Sequence, residues 1–539
     1  MHTTPDHPPA SPVSSVSSAT PSVADIASLF RAHDERDRPR YERFWSYYRN
    51  ELPVRPALRS TCATSPRAAH RPAQAMGLPE RFTRPLDTTG EPREIVIEND
   101  IAWRIDAITD FVFGKPFTLH SSSPDDALGA SIEHALTSAW DASGGMAMLQ
   151  TACTLGAIHG HIDLFVRTEA LFDAAPSIRR ALRRATDDTE RRAILASAAR
   201  LIAIEPIAAP RGVPVLDPRD YRLLRAYLLR DASRVSTDPA GTPWGSEHRG
   251  HGPIARLTGA LKRATGTDAP DERYSLITDR SIIERDGATT LRTTDHPLGE
   301  LPVVHIQNSP QPYRYDGLSD VEPLIALQDE LNTRLSDRAH RVTMQSFKMY
   351  FAKGFDTPED LSVAPGQIWS THNPDAELHS FGGDAHTPSE DDHITQIREA
   401  LDKASGVSPL VLGLLRAKIG HLSSENALRI TMMGVLSKTT RRRQTWTTGI
   451  AAASRLVLLA LDRADILRTT ERDREINLRW PDPLPPDQLR QLQAAKIKAE
   501  LGVPRDQILR ELGYGHLTGA ANDAPPSPLA GEGGREADG

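Results

Sequence analysis

The chain has 539 residues, 64 Lys plus Arg against 71 Asp plus Glu, and a formal charge of −7. That length is enough for about two to four domains and a sizeable core, and a hydrophobic share of 39% fits neither a membrane-embedded nor a wholly disordered chain. The mildly acidic total argues against a protein that grips DNA tightly, because such grip comes from excess positive charge laid against phosphates. Arginine outnumbers lysine by 55 to 9 along the whole chain, so a local arginine cluster weighs less than it otherwise would.

Two cysteines, Cys62 and Cys153, are too few for a disulfide framework or a cysteine-based metal site, and a reducing setting is expected. The N-terminal run MHTTPDHPPASPVSSVSSATP has neither a basic nor an apolar region of the kind a signal peptide needs. No run of 18 apolar residues occurs, the best stretch being Leu456 to Leu461, so the expectation is a soluble chain or part of a soluble assembly.

Residues 1–24 are a Pro/Ser/Thr tract and are expected to be a disordered tail, as are residues 516–539. Residues 25–50 carry Ile26, Leu29, Phe30, Tyr41, Phe44, Trp45 and Tyr48 at helical spacings, whereas Pro53 to about Arg93 reads as loop. Trp103 to Ile108 predicts a helix ending near Gly114, and residues 131–156 predict another, followed by a strand over Ile158–Val166. Further strands are expected at Val213–Leu216, Tyr274–Ile277, Ser281–Arg285 and Leu301–Ile306, giving an α+β region with a partly antiparallel sheet.

Ser319-Asp320-Val321-Glu322 has the capping-box pattern, and behind it Leu324, Leu327, Leu331, Leu335, Ala339 and Val342 predict a helix of about 30 residues. Residues 354–397 hold nine acidic side chains and no Lys or Arg, a net charge of −9. A helix is then expected from about Asp391 to Ser405 with Gly406 as its C′ residue, and a very long one from about Ser424 to Asp465. Residues 411–460 hold eight basic side chains against Glu425, a net of +7. Pro481–Pro486 breaks the chain before a short helical pair, Asp487–Leu501 and Arg505–Leu512.

The most pointed chemical motif is His159-Gly160-His161-Ile162-Asp163. On a strand, His159, His161 and Asp163 would share one face and could ligate one metal. The plainer reading is the polar face of a half-buried strand whose other face carries Ile158, Ile162 and Leu164. Metallohydrolases with this opening need a further His after the Asp, where Leu164 stands. No phosphate-binding G-x-x-x-x-G-K-[ST] loop, dinucleotide fingerprint or G-x-S-x-G elbow is present. No cofactor is expected, and nothing points to an enzyme. Arg441-Arg442-Arg443 spans most of a helix circumference and reads as a solvated or inter-subunit surface rather than one ligand site. Lys418 and His421, set among Gly413, Gly420 and apolar residues, suit transient phosphate contact rather than firm binding, with an ordinary surface loop as the equal alternative.

The order of several segments resembles the portal proteins of tailed bacteriophages, of the siphophage type, over roughly residues 90–515. The segments are Ile97-Glu98-Asn99-Asp100-Ile101 through Arg104-Ile105-Asp106 to Phe113-Gly114-Lys115-Pro116; His296 to His305; Gly317-Leu318-Ser319-Asp320 with Leu327 to Asn332 and Ser336-Asp337; Ser405-Gly406-Val407-Ser408-Pro409 with Leu412-Gly413; and Ser423 to Leu428. The resemblance implies a helix-rich α+β, portal-type ring subunit. It would have a wing (25–316), a stem helix (317–351), an acidic clip (352–390), a second stem helix (391–406), a tunnel loop (407–423), a long kinked wing and channel helix (424–465) and a crown (466–515). It further implies a homo-oligomeric ring of about twelve subunits at one capsid vertex of the virion, assembled in the host cytoplasm. That ring would be a conduit for double-stranded DNA in packaging and ejection, partnered by the terminase large subunit, the major capsid and scaffold proteins and the head–tail adaptor, with no membrane. Arg416, Lys418 and His421 would then face the channel, and Asp356, Glu359 and Asp360 would dock the motor. The readings kept beside it are a metal-dependent hydrolase or nuclease using His159, His161 and Asp163, and another minor capsid or adaptor protein.

Overall fold

The computed structural model describes residues 21–50, 73–83, 94–231, 272–346, 349–353, 373–375, 377–381, 388–412, 429–484 and 488–512. The chain divides into two units, one of Met1–Ile419 with Thr431–Trp480 and a second of Gly420–Ile430 with Pro481–Gly539.

In the first unit, α1 (Val23–Ala32) starts at a reciprocal cap in which Ser22 and Asp25 satisfy each other's backbone amides. A π-turn over His33–Asp37 joins it to α2 (Arg38–Arg49), which buries Tyr41, Phe44 and Tyr47 and stops at Asn50 in the left-handed region. A short α3 (Glu80–Thr83) precedes α4 (Ala102–Phe113), which ends at Gly114 as the sequence predicts. The helix expected over 131–156 is two helices, α5 (Asp126–Ala142) and α6 (Gly145–His159), because Gly144 and Gly145 turn the chain at φ +105 and +55.

A three-stranded sheet of order β3-β2-β9 lies at the centre: β2 is His161–Arg167, β3 Ala203–Ala208 and β9 Val303–Gln307. Around it pack α4 to α6, the hairpin of α7 (Glu169–Arg184) and α8 (Asp188–Ala199), and one very long helix met later in the chain. A second sheet runs in order through β4 (Gly212–Leu216), β5 (Leu224–Arg230), β6 (Arg273–Ile277), β7 (Ser281–Asp286) and β8 (Thr289–Asp295). Among the described residues every strand pair is antiparallel. Ile26 and Phe30 of α1 cover this sheet through Val213, Leu228, Tyr274 and Leu276.

After β9 the chain makes a 3-10 turn at Glu322–Leu324 and enters α9 (Ile325–Ser346). The helix expected to reach Phe351 ends five residues sooner and gives way to β10 (Met349–Lys353), which pairs with β11 (Glu377–Phe381). The change follows composition: Met349-Tyr350-Phe351 brings aromatic residues that favour a strand. The chain returns through α10 (Pro388–Ser405), antiparallel to α9, with Ile394, Ile397 and Leu401 meeting Leu324, Ile325 and Leu331. Arg338–Asp391 (2.8 Å) and Arg341–Glu390 ion pairs line the pair's outer end. Gly406 follows at φ +68, the C′ conformation the sequence predicts.

The last long element, α11 (Met433–Arg463), has 31 residues, and its stripe Ile450, Ala453, Val457 and Leu461 is fully buried. Gly449 lets it lie directly on Ile306 of β9. A strand β12 (Ile476–Arg479) pairs with β1 (Thr118–Ser121). No described helix is long and apolar enough to cross a membrane. In the second unit, α12 (Gln488–Glu500) and α13 (Arg505–Glu511) form the expected short pair, joined by a Lys498–Glu511 ion pair.

Candidate functional site

Where α9 leaves the body it is bound by side chains doing the work of a neighbouring strand. Ser336 Oγ accepts from the Val96 amide (3.0 Å), Asn332 Oδ1 from the Glu98 amide (3.0 Å) and Gln328 Oε1 from the Asp100 amide (3.1 Å). Gln328 donates back to the Glu98 carbonyl, and Asn332 donates to Gln74 Oε1 (3.0 Å). The spacing explains the fit: four helical residues rise about 6.0 Å, and two residues of extended chain advance about 6.6 Å. Gln328, Asn332 and Ser336 are each 0% exposed, so each bond is worth most where an orphaned amide would cost most.

Two buried charge clusters hold the chain on either side of this pair. Asp320 accepts from Lys438 Nζ (2.9 Å) and from Arg442, while Lys438 also donates to the Ser405 carbonyl (2.8 Å). Burial alone would push the Asp320 carboxyl up, but the Arg442 and Lys438 charges outweigh it and hold it at about 2. Arg104, 1% exposed, donates to Asp402 (2.8 Å), the Val407 carbonyl (2.8 Å) and Asp100 (3.1 Å). Ser405 to Val407 are therefore fixed by two cations from separate helices. At the same junction the turn before α9 docks on the end of α6. Ser319 donates to the Ile158 carbonyl and caps Val321 and Glu322, and Asp320 N donates to the Ala157 carbonyl (2.9 Å). The reciprocal half of the expected capping box does not form, because Glu322 pairs with Arg40 instead.

The His159–Asp163 motif is built differently from its sequence reading. His159 closes α6, Gly160 turns the chain at φ +97, and only His161 and Asp163 lie on β2, so the three do not share a strand face. Asp163 accepts from the Tyr227 hydroxyl (2.6 Å), the Tyr315 hydroxyl (2.7 Å) and His305 Nδ1 (2.7 Å). The other His305 nitrogen faces the Tyr315 carbonyl (2.7 Å), so both ring nitrogens lie within hydrogen-bond reach of oxygens. His305 keeps the Asp163 carboxyl below the usual range in spite of its burial, and burial pulls His161 down to about 4 and His159 to about 3. His159 is packed between Tyr41 and Trp45. Among the described residues no group of three or more His, Cys, Asp or Glu is placed to hold a metal ion.

The arginine triplet also divides. Arg441 is exposed, but Arg442 is only 2% exposed and neutralises Asp320. Arg443 donates to the Phe111 carbonyl (3.0 Å) and stacks on Trp480 (5.0 Å). The expected solvated surface is thus reduced to one of the three, because α11 turns 100° per residue and two of the positions face the body. Arg416, Lys418 and His421 lie outside the described residues, as do Asp356, Glu359 and Asp360. Sequence reading missed Arg104, Gln328, Asn332, Lys438 and Asp320 as a framework, although Gln328, Asn332, Ser336 and Asp320 stand in the segments that carry the family resemblance. A run of polar residues at i, i+4 and i+8 amid leucines was the available signal.

Two antiparallel helices carry a two-stranded ribbon at their far end, a 31-residue helix then runs through an α+β body, and the buried charges described above hold backbone in place. Residues 266–513 match the family model described as phage portal protein, SPP1 Gp6-like, which bears out the resemblance to a tailed-phage portal protein. The matched segment begins just before β6 and contains the α9–α10 pair, the ribbon and α11. No curated protein matches the chain.

Proposed function

We propose that this chain is the subunit of a portal ring of about twelve copies at one capsid vertex, a conduit for double-stranded DNA during packaging and ejection. In this reading the ring also docks the terminase large subunit and, later, the head–tail adaptor, while contacting major capsid and scaffold proteins. The observation that carries it is the coincidence of the family match over 266–513 with the helix pair, terminal ribbon and long helix found there in that order. The body over 25–316 serves as the wing, α9 and α10 as the stem, the ribbon and its acidic surroundings as the clip, and the chain after 466 as the crown. A ring of this kind needs a heterologous interface whose rotation closes.

The charge order suits such a conduit, with the −9 stretch of 354–397 beside the +7 stretch of 411–460. Arg416, Lys418 and His421 meet phosphate briefly at the constriction, and Asp356, Glu359 and Asp360 attract a basic face of the motor. Negative-stain microscopy of the purified chain tests the proposal: rings with a central channel are expected, and discrete small particles under all assembly conditions overturn it. Neutralising Lys418 and His421 should impair packaging or DNA retention with rings intact. Reversing Asp356, Glu359 and Asp360 should weaken motor docking, most visibly at raised salt.

A further inference from the structure

The hairpin of α7 and α8 turns its apolar face inward and leaves a basic tip outside. Leu171, Ala175, Leu195 and Ala198 are buried against the core, and Phe172 and Ile178 pack on them. From Ser177 to Arg200 the hairpin holds seven arginines against Asp187, Asp188 and Glu190, a net of +4 in a chain whose total is −7. Arg180, Arg183 and Arg184 stand at i, i+3 and i+4, within one side of α7, and all three are exposed. Arg191 and Arg192, also exposed, are the fourth and fifth residues of α8, just across the short connection.

Ordinary explanations cover part of this patch. Arg179 is spent on the Ala464 carbonyl (3.1 Å), and Arg183 and Arg184 suit the negative end of the α7 dipole. They do not cover the rest. Arg191 and Arg192 sit at the positive end of α8, where a helix disfavours cations. Asp187 and Glu190 are already engaged in capping α8, through the Glu190 and Thr186 amides. Among the described residues no carboxylate lies within 4 Å of Arg180, Arg183, Arg184 or Arg192, and Arg191 has only a long 3.9 Å contact with Asp188. Arg180 also donates to the Pro176 carbonyl of its own helix (3.3 Å), but guanidinium groups without a close carboxylate, one helical turn apart, match a ligand carrying closely spaced negative charges.

The geometry points to the α7–α8 tip as a binding surface for the phosphate backbone of double-stranded DNA, separate from the loop that holds Arg416, Lys418 and His421. The choice of DNA as the polyanion rests on the conduit reading. The contact is to backbone and carries no sequence preference, because it rests on the charge of guanidinium groups against phosphates. It is also easily reversed by salt, since each neutralised phosphate contributes a counterion to the slope.

The experiment uses the full chain, a duplex of about 30 base pairs and fluorescence anisotropy between about 50 and 200 mM salt. Arg183→Gln, Arg184→Gln and Arg192→Gln are combined in one variant. A control combines Arg219→Gln, Arg280→Gln and Arg292→Gln, three exposed positions on the other sheet's strands and loops. Both variants are checked for particle shape by microscopy against the parent. The tip variant should bind at least tenfold more weakly at the lowest salt and show a log–log salt slope shallower by about 2, with the control near the parent. Equal loss in both variants, or no loss in the tip variant, overturns the site. Parent particles that bind no duplex at low salt also overturn it and leave the patch to an acidic protein face. Rings with an inert tip would sink this site while the conduit reading stands. Tip-dependent binding without rings would do the reverse.

Discussion

Replacing Asp320 by asparagine removes one negative charge while keeping the shape of the side chain, and it strands Lys438 and Arg442 in the interior. The carboxyl is held at about 2 against an ordinary 3.8, a difference of nearly two units in favour of the ionised folded form. At about 1.4 kcal/mol per unit this corresponds to about 2 kcal/mol of stability. The orphaned cations add to the loss, and breaking a buried pair from one side costs about 3–5 kcal/mol. Asp320→Asn should therefore lower unfolding stability by about 3 kcal/mol, read from urea titration of the tryptophan fluorescence, to which the buried Trp446 contributes. Adding Arg442→Met should recover much of the loss, because the stranded charge goes with it. The sign with pH is equally definite. A depressed carboxyl gives stability that is complete above the unfolded value and drains as pH falls from about 4 towards 2, so the variant's acid limb should be flatter over that window. A loss under 1 kcal/mol, or a double variant no better than the single, would refute the account of the cluster.

Burial lowers His33 and His161 to about 4 and His159 to about 3 from 6.5, so the folded chain takes up these protons later than the unfolded one. Stability should be complete above pH 6.5 and decline as pH falls towards 4, by up to about 3 kcal/mol for each of the first two; an unfolding midpoint unchanged between pH 7.5 and 5 would refute this. Gln328→Ala should cost about 2–3 kcal/mol by orphaning the Asp100 amide and the Glu98 carbonyl and should raise hydrogen exchange at Asp100, and unchanged exchange there would dismiss the rung. Gly317→Ala would put a Cβ 2.5 Å from the Gly160 carbonyl and 2.8 Å from that of Ser309, so a melting temperature several degrees lower is expected, and an unaltered one would show that the junction yields.

Periodicity was a good guide wherever one face of an element is apolar and one wet. The α4 helix with its Gly114 stop, α10 with Gly406 and the α12–α13 pair all appear where the pattern put them. It failed for β8, whose Thr-rich run is exposed along nearly its whole length, and for β3 and β5, which a 3.6-residue pattern does not distinguish from helix. It also misread His159, because one left-handed glycine, Gly160, moves that residue from strand to helix end. The charged framework was hidden for a different reason. Arg104 and Asp402 are nearly 300 positions apart, and a guanidinium on an apolar helix looks the same in sequence whether it faces water or a buried carboxylate. Segment order, by contrast, was legible without any of these details.

The rungs between α9 and residues 96–100 have a mechanical meaning. Side chains four apart on a helix engage amides two apart on the facing chain, so a slide of part of a turn opens all three rungs together. A slide of one whole turn offers new partners, but an incomplete set: one direction brings His340 opposite Val96, the other brings Leu324 opposite Asp100. Neither reproduces the present fit, so α9 has a single detent. A push along α9 from the ribbon end would therefore be opposed by all three rungs at once, as by a key in a shaft.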